Sequence, residues 1–254
     1  MKQHTPVLDE LVAMSLRLAE PQREYVILGE GNTSAQADET SFWVKASGAK
    51  LVESTPESFV QVCSEPLLEL LDGPDLSDEQ IKEALSAACV EPGPQRPSVE
   101  TVLHALLLAY PDVRFVGHTH PTAVNSILCS ENWQELFSQR LFPDEIVVCG
   151  EEYVLVPYTD PGLPLARAVR QRVAEYADRN GQPPRTILIQ NHGLIASGKT
   201  PAMVENITAM LDKTARIILG ACVAGSVHAL SAEDVSRLGS RDDEKYRQEG
   251  LDER

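Results

Sequence analysis

Residues 187–196, Ile-Leu-Ile-Gln-Asn-His-Gly-Leu-Ile-Ala, contain two apolar runs separated by polar residues and a glycine. Two short apolar runs, 187–189 and 194–196, are typical of buried strands. Asn191-His192-Gly193 between them predicts a tight turn, because Gly193 permits backbone conformations that other residues avoid. Strand-like and helix-like segments interleave along the rest of the chain. This order favours one α/β domain in which helices are layered on a sheet.

The segments around this stretch carry recognisable helix and strand signals. Thr5 and Pro6 predict the start of a first helix that ends near Glu20. Ser77, with Gln80 three positions later, predicts a capping box. The remaining elements follow from periodicity: helices at 64–72, 77–89, about 162–179 and about 200–224, a helix capped by Ser98, a hairpin turn at 37–40 followed by a strand at 42–44, and strands at about 113–119 and 145–156.

The clearest loop is Glu91–Pro97, which has three prolines in seven residues. Such a segment forms neither a helix nor a central strand. It is either a linker between two domains or a loop that feeds a site. Turns at 31 and 47 precede this loop, whereas Glu100, His118, His120 and His192 follow it. These candidate site residues must meet, which favours the second interpretation. We therefore expect one domain over residues 1–239 and a charged C-terminal tail over 240–254.

Composition excludes several classes of function. The 254 residues carry a formal net charge of −16, which argues against nucleic acid and anionic membranes as partners. No apolar run reaches the roughly 18 residues of a membrane span, and the N-terminus does not resemble a secretory signal. The five cysteines are widely spaced without a C-x-x-C motif. They predict reduced thiols in a cytoplasmic protein rather than a disulfide framework or metal ligands.

Three of the six histidines form the candidate metal site. His118 and His120 are two residues apart at the end of a predicted strand, so their side chains point to the same face. Taken alone, the motif is weak and is better interpreted as two polar residues at a strand end. His192 in its turn is either a hydrogen-bonding turn residue or a third ligand. Three histidines with an open fourth position are the arrangement of catalytic zinc.

A base and an anion-binding region are the other candidate features. Glu100 lies at the start of a helix, where it either complements the helix dipole or serves as a base. The Gly29-x-Gly31 turn lacks the third glycine of a dinucleotide-binding motif, because Ser34 stands at that position. Several residues nearby can donate backbone N–H groups or hydroxyls to an anion: Gly31, Asn32, Ser34, Ser47, Gly48 and Ser98.

Five short motifs follow one another in a specific order. They are Gly31-Asn32-Thr33-Ser34, Lys45-Ala46-Ser47-Gly48, Pro97-Ser98-Val99-Glu100, His118-Thr119-His120 and Asn191-His192-Gly193. In this order the chain resembles the class II aldolase/adducin family, which includes L-fuculose-1-phosphate and L-rhamnulose-1-phosphate aldolases and L-ribulose-5-phosphate 4-epimerase. Residues 141–145, Leu-Phe-Pro-Asp-Glu, look closest to the aldolase half of bifunctional rhamnulose-phosphate aldolase/dehydrogenase proteins. The resemblance runs from about residue 5 to about residue 225.

The resemblance implies a three-layer αβα fold with a mostly antiparallel central sheet, assembled as a homotetramer with sites at subunit interfaces. It also implies a zinc ion on His118, His120 and His192, and a catalytic carboxylate at Glu100 that can ligate the metal when substrate is absent. The implied phosphate-binding residues are Gly31, Asn32, Ser47, Gly48 and Ser98.

Two departures from the family pattern bear on the substrate. Val99 stands where the family often has a second phosphate-binding serine, which removes one hydroxyl donor. The region around Phe142 has no tyrosine to match the proton donor of the fuculose-phosphate enzyme. Tyr158 or Tyr246 would have to replace it, or the substrate differs.

The expected activity is that of a metal-dependent aldolase that cleaves a ketose, in particular a sugar 1-phosphate. Zinc would stabilise an enediolate as the carbon–carbon bond breaks, and Glu100 would move the proton. The alternatives are a sugar-phosphate 4-epimerase or a sugar-acid decarboxylase on the same framework. A non-catalytic adducin-like scaffold is disfavoured, because all three histidines and Glu100 are present.

Overall fold

The computed structural model describes residues 5–241 and Gly250. The strands in this part of the chain are β1 Asn32–Gln36, β2 Ser41–Lys45, β3 Phe59–Cys63, β4 Phe115–Thr119, β5 Val154–Val156, β6 Thr186–Ile189 and β7 Gly193–Gly198. They form one sheet in the order β3-β2-β1-β4-β7-β6-β5. Every pair of neighbours is antiparallel except β5 and β6. The expected mostly antiparallel sheet is confirmed.

The helices include both the long helices and the capping motifs expected from the sequence. Their bounds are α1 Pro6–Leu18, α2 Ser64–Asp72, α3 Asp78–Ala87, α4 Thr101–Leu108, α5 Thr122–Leu128, α6 Trp133–Ser138, α7 Pro143–Cys149, α8 Leu163–Asn180, α9 Pro201–Ala224 and α10 Ala232–Ser240. Thr5 caps α1 through the backbone N–H of Leu8. Ser77 and Gln80 form the capping box of α3.

Apolar side chains alternate between the two faces of the sheet, so each face has its own core. On β3, Val60 and Val62 pack with α2, α4 and α8, whereas Phe59 packs on the other face with α1, α5 and α9. On β6, Ile187 and Ile189 take the first face and Leu188 the second. Because a strand residue and its next neighbour point to opposite faces, this alternation produces three layers. The three-layer αβα architecture is confirmed.

The prediction of a strand over residues 145–156 is wrong for its first part. α7 occupies Pro143–Cys149, and the strand is limited to Val154–Val156. A proline in the first turn and two acidic residues after it start the helix. These signals outweigh the strand preference of the β-branched residues that follow.

The helix after the proline-rich loop begins later than expected. Glu100, not Ser98, is the N-cap residue of α4. The carbonyl oxygen of Ser98 accepts hydrogen bonds from the N–H and the hydroxyl of Thr101, so residues 98–101 form a turn before the helix.

Two expectations concern the ends of the chain and membranes. Most of the expected tail at 240–254 lies outside the described residues, and the division at residue 239 stays a prediction. None of the helices in residues 5–241 combines the length and the apolar character needed to cross a bilayer.

Candidate metal centre

The three candidate histidines meet at one end of the sheet. His118 and His120 lie at the end of β4, with His118 opposite Asn32 of β1 and opposite Ile195 of β7. His192 lies in the turn between β6 and β7. The pairing of β4 with β7 therefore brings the turn next to the H-x-H motif.

The imidazole rings converge through their Nε2 atoms. The Nε2 atom of His118 lies 3.1 Å from that of His192 and 3.0 Å from that of His120. The ring centroids are 4.8–5.1 Å apart, with each pair of rings edge to face. Among the described residues, this is the group of side chains whose ligand atoms lie close enough together to hold a metal ion.

Two of the histidines are held in the neutral form, which is the form that can bind a metal ion. Burial lowers the pKa of His118 to about 4. Burial, together with the charge of His118, lowers the pKa of His120 to about 3. The Nδ1 atom of His118 is 2.9 Å from the Leu194 carbonyl oxygen, to which it donates, so its Nε2 lone pair points at the other rings.

The distances provide an independent test of the fit. Four ligands at about 2.0–2.1 Å from one ion in tetrahedral geometry lie roughly 3.3 Å from one another. The separations between imidazole nitrogens here are close to that value. Neutral nitrogens with facing lone pairs repel each other unless a cation lies between them. The donor set therefore fits a divalent metal ion.

Glu100 completes the cluster from the N-terminus of α4. Its side chain is buried, with Oε1 3.3 Å from Nε2 of His192 and Oε2 3.5 Å from Nε2 of His118. Asn32 Nδ2 donates a 2.7 Å hydrogen bond to Oε2. Burial opposes ionisation of Glu100, but the neighbouring imidazoles and the Asn32 amide outweigh it and hold its pKa well below the usual range. The carboxylate can act as a fourth ligand or as a proton acceptor.

Two glycines allow the backbone to approach the histidines. A Cβ atom on Gly193 would lie 2.5 Å from the carbonyl oxygen of Thr119 and 2.6 Å from the ring of His120. Gly31 has φ +67°, and a Cβ there would lie 2.7 Å from the carbonyl oxygen of His118. Both motif glycines are thus required for the close packing of the site.

Of the residues expected to bind phosphate, Ser47 and Gly48 lie in the turn after β2 and Ser98 in the turn before α4, whereas Gly31 and Asn32 lie at the start of β1. Ser47 donates its backbone N–H to Arg96, and Ser98 donates its own to Lys45, so the Ser47-Gly48 turn lies against the end of the proline-rich loop. That loop therefore leads into the site. The side-chain amide of Asn32 is hydrogen-bonded to Glu100.

Lys45, at the end of β2, belongs to one of the five sequence motifs, but its role was not predicted from the sequence. Its ammonium is buried and donates to the carbonyl oxygens of Gly29, at 3.2 Å, and Ala49, at 2.7 Å. Burial lowers the pKa of Lys45, and the negative charge of Glu100 opposes this effect. A lysine at the end of the apolar strand 41–45 is the signal that marks it.

The two tyrosines considered as proton donors differ in what the structure describes. Tyr158 is exposed, and its backbone N–H donates to the side chain of Gln190, beside the His192 turn. Its hydroxyl donates to Asp160. Tyr246 lies outside the described residues.

The chain belongs to the class II aldolase and adducin N-terminal domain family, whose model matches residues 9–219. The sequence is 30% identical over 201 residues to an uncharacterized oxidoreductase, YuxG, of Bacillus subtilis. That match covers 76% of this chain but 27% of the Bacillus protein, so the chain spans about a quarter of its length.

Two further similarities concern proteins of more comparable length. A 3-oxo-tetronate 4-phosphate decarboxylase of Haemophilus influenzae is 22% identical over 197 residues, which cover 77% of this chain and 80% of that protein. A structure of L-fuculose 1-phosphate aldolase matches with a TM-score of 0.70 at 19% identity, over 96% of this chain and 98% of that one. The structural match shows a shared fold.

Proposed function

We propose that this protein is a metal-dependent aldehyde-lyase that cleaves a ketose, in particular a sugar 1-phosphate. One observation carries the proposal: a buried carboxylate, Glu100, lies within 3.5 Å of two of three converging imidazole nitrogens. Such a site combines a cation-binding group with a proton acceptor. A bond next to a carbonyl breaks readily where both are present.

The residues of the site have two proposed roles, metal binding and proton transfer. His118, His120 and His192 hold the ion, for which zinc is the proposed identity. When bound, a divalent ion supplies a Lewis acid that offsets the negative charge developing beside the carbonyl as the bond breaks. In the cleavage direction, Glu100 would accept the proton of the hydroxyl whose carbon leaves as the aldehyde, and would deliver a proton to the carbon left with the negative charge. Asn32 donates to Oε2, so we assign this transfer to Oε1, which lies 3.3 Å from Nε2 of His192.

The proposed phosphate-binding set is Gly31, Asn32, Ser47, Gly48 and Ser98. Lys45 supports it, because its ammonium holds together the turns that contain Gly29 and Ala49. On a chain with a net charge of −16, an anionic substrate is captured by local cations and N–H groups rather than by long-range attraction.

A decarboxylase acting on a phosphorylated sugar acid is the second candidate. It is favoured by the similarity to the decarboxylase of Haemophilus influenzae. Loss of carbon dioxide from a 3-oxo acid leaves the same kind of negative charge, so the same residues serve. Aldol cleavage instead releases an aldehyde.

We further propose that the enzyme is a cytoplasmic homotetramer. The cysteines support the compartment, because all five are free. The presence of all three histidines and Glu100 argues against a non-catalytic scaffold.

Product analysis tests the proposal. The purified protein is stripped with a chelator, reloaded with zinc, manganese or cobalt, and offered phosphorylated and free ketoses and 3-oxo sugar acids. Metal-dependent release of an aldehyde supports the aldolase, and release of carbon dioxide without an aldehyde supports the decarboxylase. Equal activity before and after chelation would contradict both.

A further inference from the structure

His104 lies one helical turn after Glu100, so both side chains leave the same side of α4. It is completely buried in α4, where the residues on either side of it, Leu103 and Ala105, are apolar. Asn32 and Ser34 face it from β1, two residues apart and therefore on the same face of the sheet. The pair on the helix and the pair on the strand form a line of four polar side chains that ends at the site.

The hydrogen bonds along this line have one consistent direction. Glu100, when ionised, only accepts, so the Asn32 Nδ2 group faces it at 2.7 Å. The amide oxygen of Asn32 consequently faces Nε2 of His104, which must carry a hydrogen. Nδ1 of His104 then accepts from the hydroxyl of Ser34 at 2.6 Å.

We infer that His104 is a positioning residue, which fixes the Asn32 amide so that its N–H group holds Oε2 of Glu100. The inference rests on the proposed function, because it assigns to Glu100 the proton transfer of the lyase. Without the donor at His104, the buried oxygen of the Asn32 amide is left without a partner, and the side chain is no longer held in the orientation in which its N–H group reaches Oε2. Glu100 would then lose the contact that leaves Oε1 directed at the reacting carbon.

A role for His104 in packing alone explains these contacts less well than a role in positioning Asn32. A leucine at position 104 would match the apolar residues around it on α4, whereas a buried imidazole is costly unless its nitrogens are bonded. Burial lowers the pKa of His104 to about 4, so the ring is neutral at physiological pH and has one N–H to place. Ser34 and Asn32 determine which nitrogen carries it.

Two substitutions at position 104 separate positioning from packing. His104→Leu removes the donor, and we expect kcat to fall about 10- to 100-fold while KM and the metal bound per chain stay unchanged. His104→Gln offers an amide N–H to Asn32, and we expect it to restore most of kcat. Equal losses in both variants, or a change in KM alone, would overturn the inference.

Ser15→Ala is the matched control. The Ser15 hydroxyl, on α1, is 2.6 Å from that of Thr33, which lies on the same strand as Asn32 but points to the other face of the sheet. This substitution should lower stability and leave kcat per folded molecule unchanged. A loss of kcat as large as that of His104→Leu would show that disturbance of β1, not the line to Glu100, causes the effect.

A double-mutant cycle tests the route through Asn32. In an Asn32→Leu background, His104→Leu should cause no further loss of kcat, because its effect has already been removed. Losses that multiply would contradict action through Asn32.

A spectroscopic measurement that requires no catalysis tests this inference separately from the proposed function. In nitrogen-15 spectra of the imidazoles, His104 should be a neutral Nε2–H tautomer in the full-length protein and should lose this preference in Asn32→Leu. If no substrate is cleaved, the proposed function fails while these spectra still test the line of bonds. An Nδ1–H tautomer would overturn the inference by itself.

Discussion

Two buried polar clusters of this protein have opposite character. The anchor cluster consists of Arg140, Glu145 and Tyr153. There Glu145 accepts hydrogen bonds from Arg140 at 2.8 Å, from the Leu141 backbone at 2.7 Å and from the Tyr153 hydroxyl at 2.7 Å. The remaining Arg140 nitrogens donate to the carbonyls of Glu151 and Phe137. Charge is balanced by charge within this cluster.

The histidine cluster, His118, His120 and His192 with Glu100, lacks that balance. Imidazole nitrogens face one another at 3.0 and 3.1 Å, and Nδ1 of His192 is buried without a hydrogen-bond partner. A cluster whose polar groups are all paired stabilises the fold, whereas a cluster with unpaired lone pairs is suited to bind a ligand. Substitutions should therefore affect stability in one cluster and metal binding and activity in the other.

The largest effect is expected from His192→Ala. Removal of one of three imidazoles should abolish metal binding, and activity should fall at least about 1,000-fold, because a metal ion contributes several kcal/mol to such a reaction. Metal analysis and product release measure the two effects. Retention of both metal and activity would show that His192 is only a turn residue.

Glu100→Gln should have the next largest effect. The amide keeps the size of the side chain but cannot take up the proton, so kcat should fall about 10²- to 10⁴-fold while the metal is retained. Steady-state kinetics and metal analysis on the same preparation provide the measurement. Full activity would contradict the proposed proton transfer.

Arg140→Met should act on stability instead. It leaves the carboxylate of Glu145 buried without its counter-charge, and the free energy of unfolding should fall by about 3–5 kcal/mol. Denaturant unfolding measures this loss. Activity per folded molecule and bound metal should match the unsubstituted protein. A loss of metal would mean that the two clusters are coupled.

Tyr153→Phe is the mildest change. It removes one of the three hydrogen bonds to Glu145, and we expect a loss of about 1 kcal/mol in the free energy of unfolding. The same unfolding experiment detects it. A loss as large as that of Arg140→Met would show that the hydroxyl, not the guanidinium, keeps the carboxylate stable.

The sequence predicted the family and the layered fold because their signals are local. The H-x-H spacing on a strand and the turn at His192 follow from backbone periodicity. The αβα layers and antiparallel sheet followed from the resemblance, and both are confirmed. Glu100 was proposed as a catalytic base from its position beside a helix N-terminus.

The missed features depend on contacts between distant segments. His104 lies in a run of apolar helix residues and shows its role only where β1 places Asn32 and Ser34 against it. Lys45 shows its role only where two turns converge on its ammonium. The first part of the strand expected at 145–156 is a helix, because Pro143 and the acidic residues after it favour a helix more strongly than the β-branched residues that follow favour a strand. The periodicity of a single segment cannot predict its contacts with distant segments.

The central claim is that the three histidines hold a metal ion. Its most direct test is metal analysis of the gently purified protein beside His192→Ala. The account predicts about one divalent ion per chain in the unsubstituted protein and nearly none in the variant. Less than about 0.1 ion per chain in the unsubstituted protein, unchanged after reloading with zinc, manganese or cobalt, would contradict it.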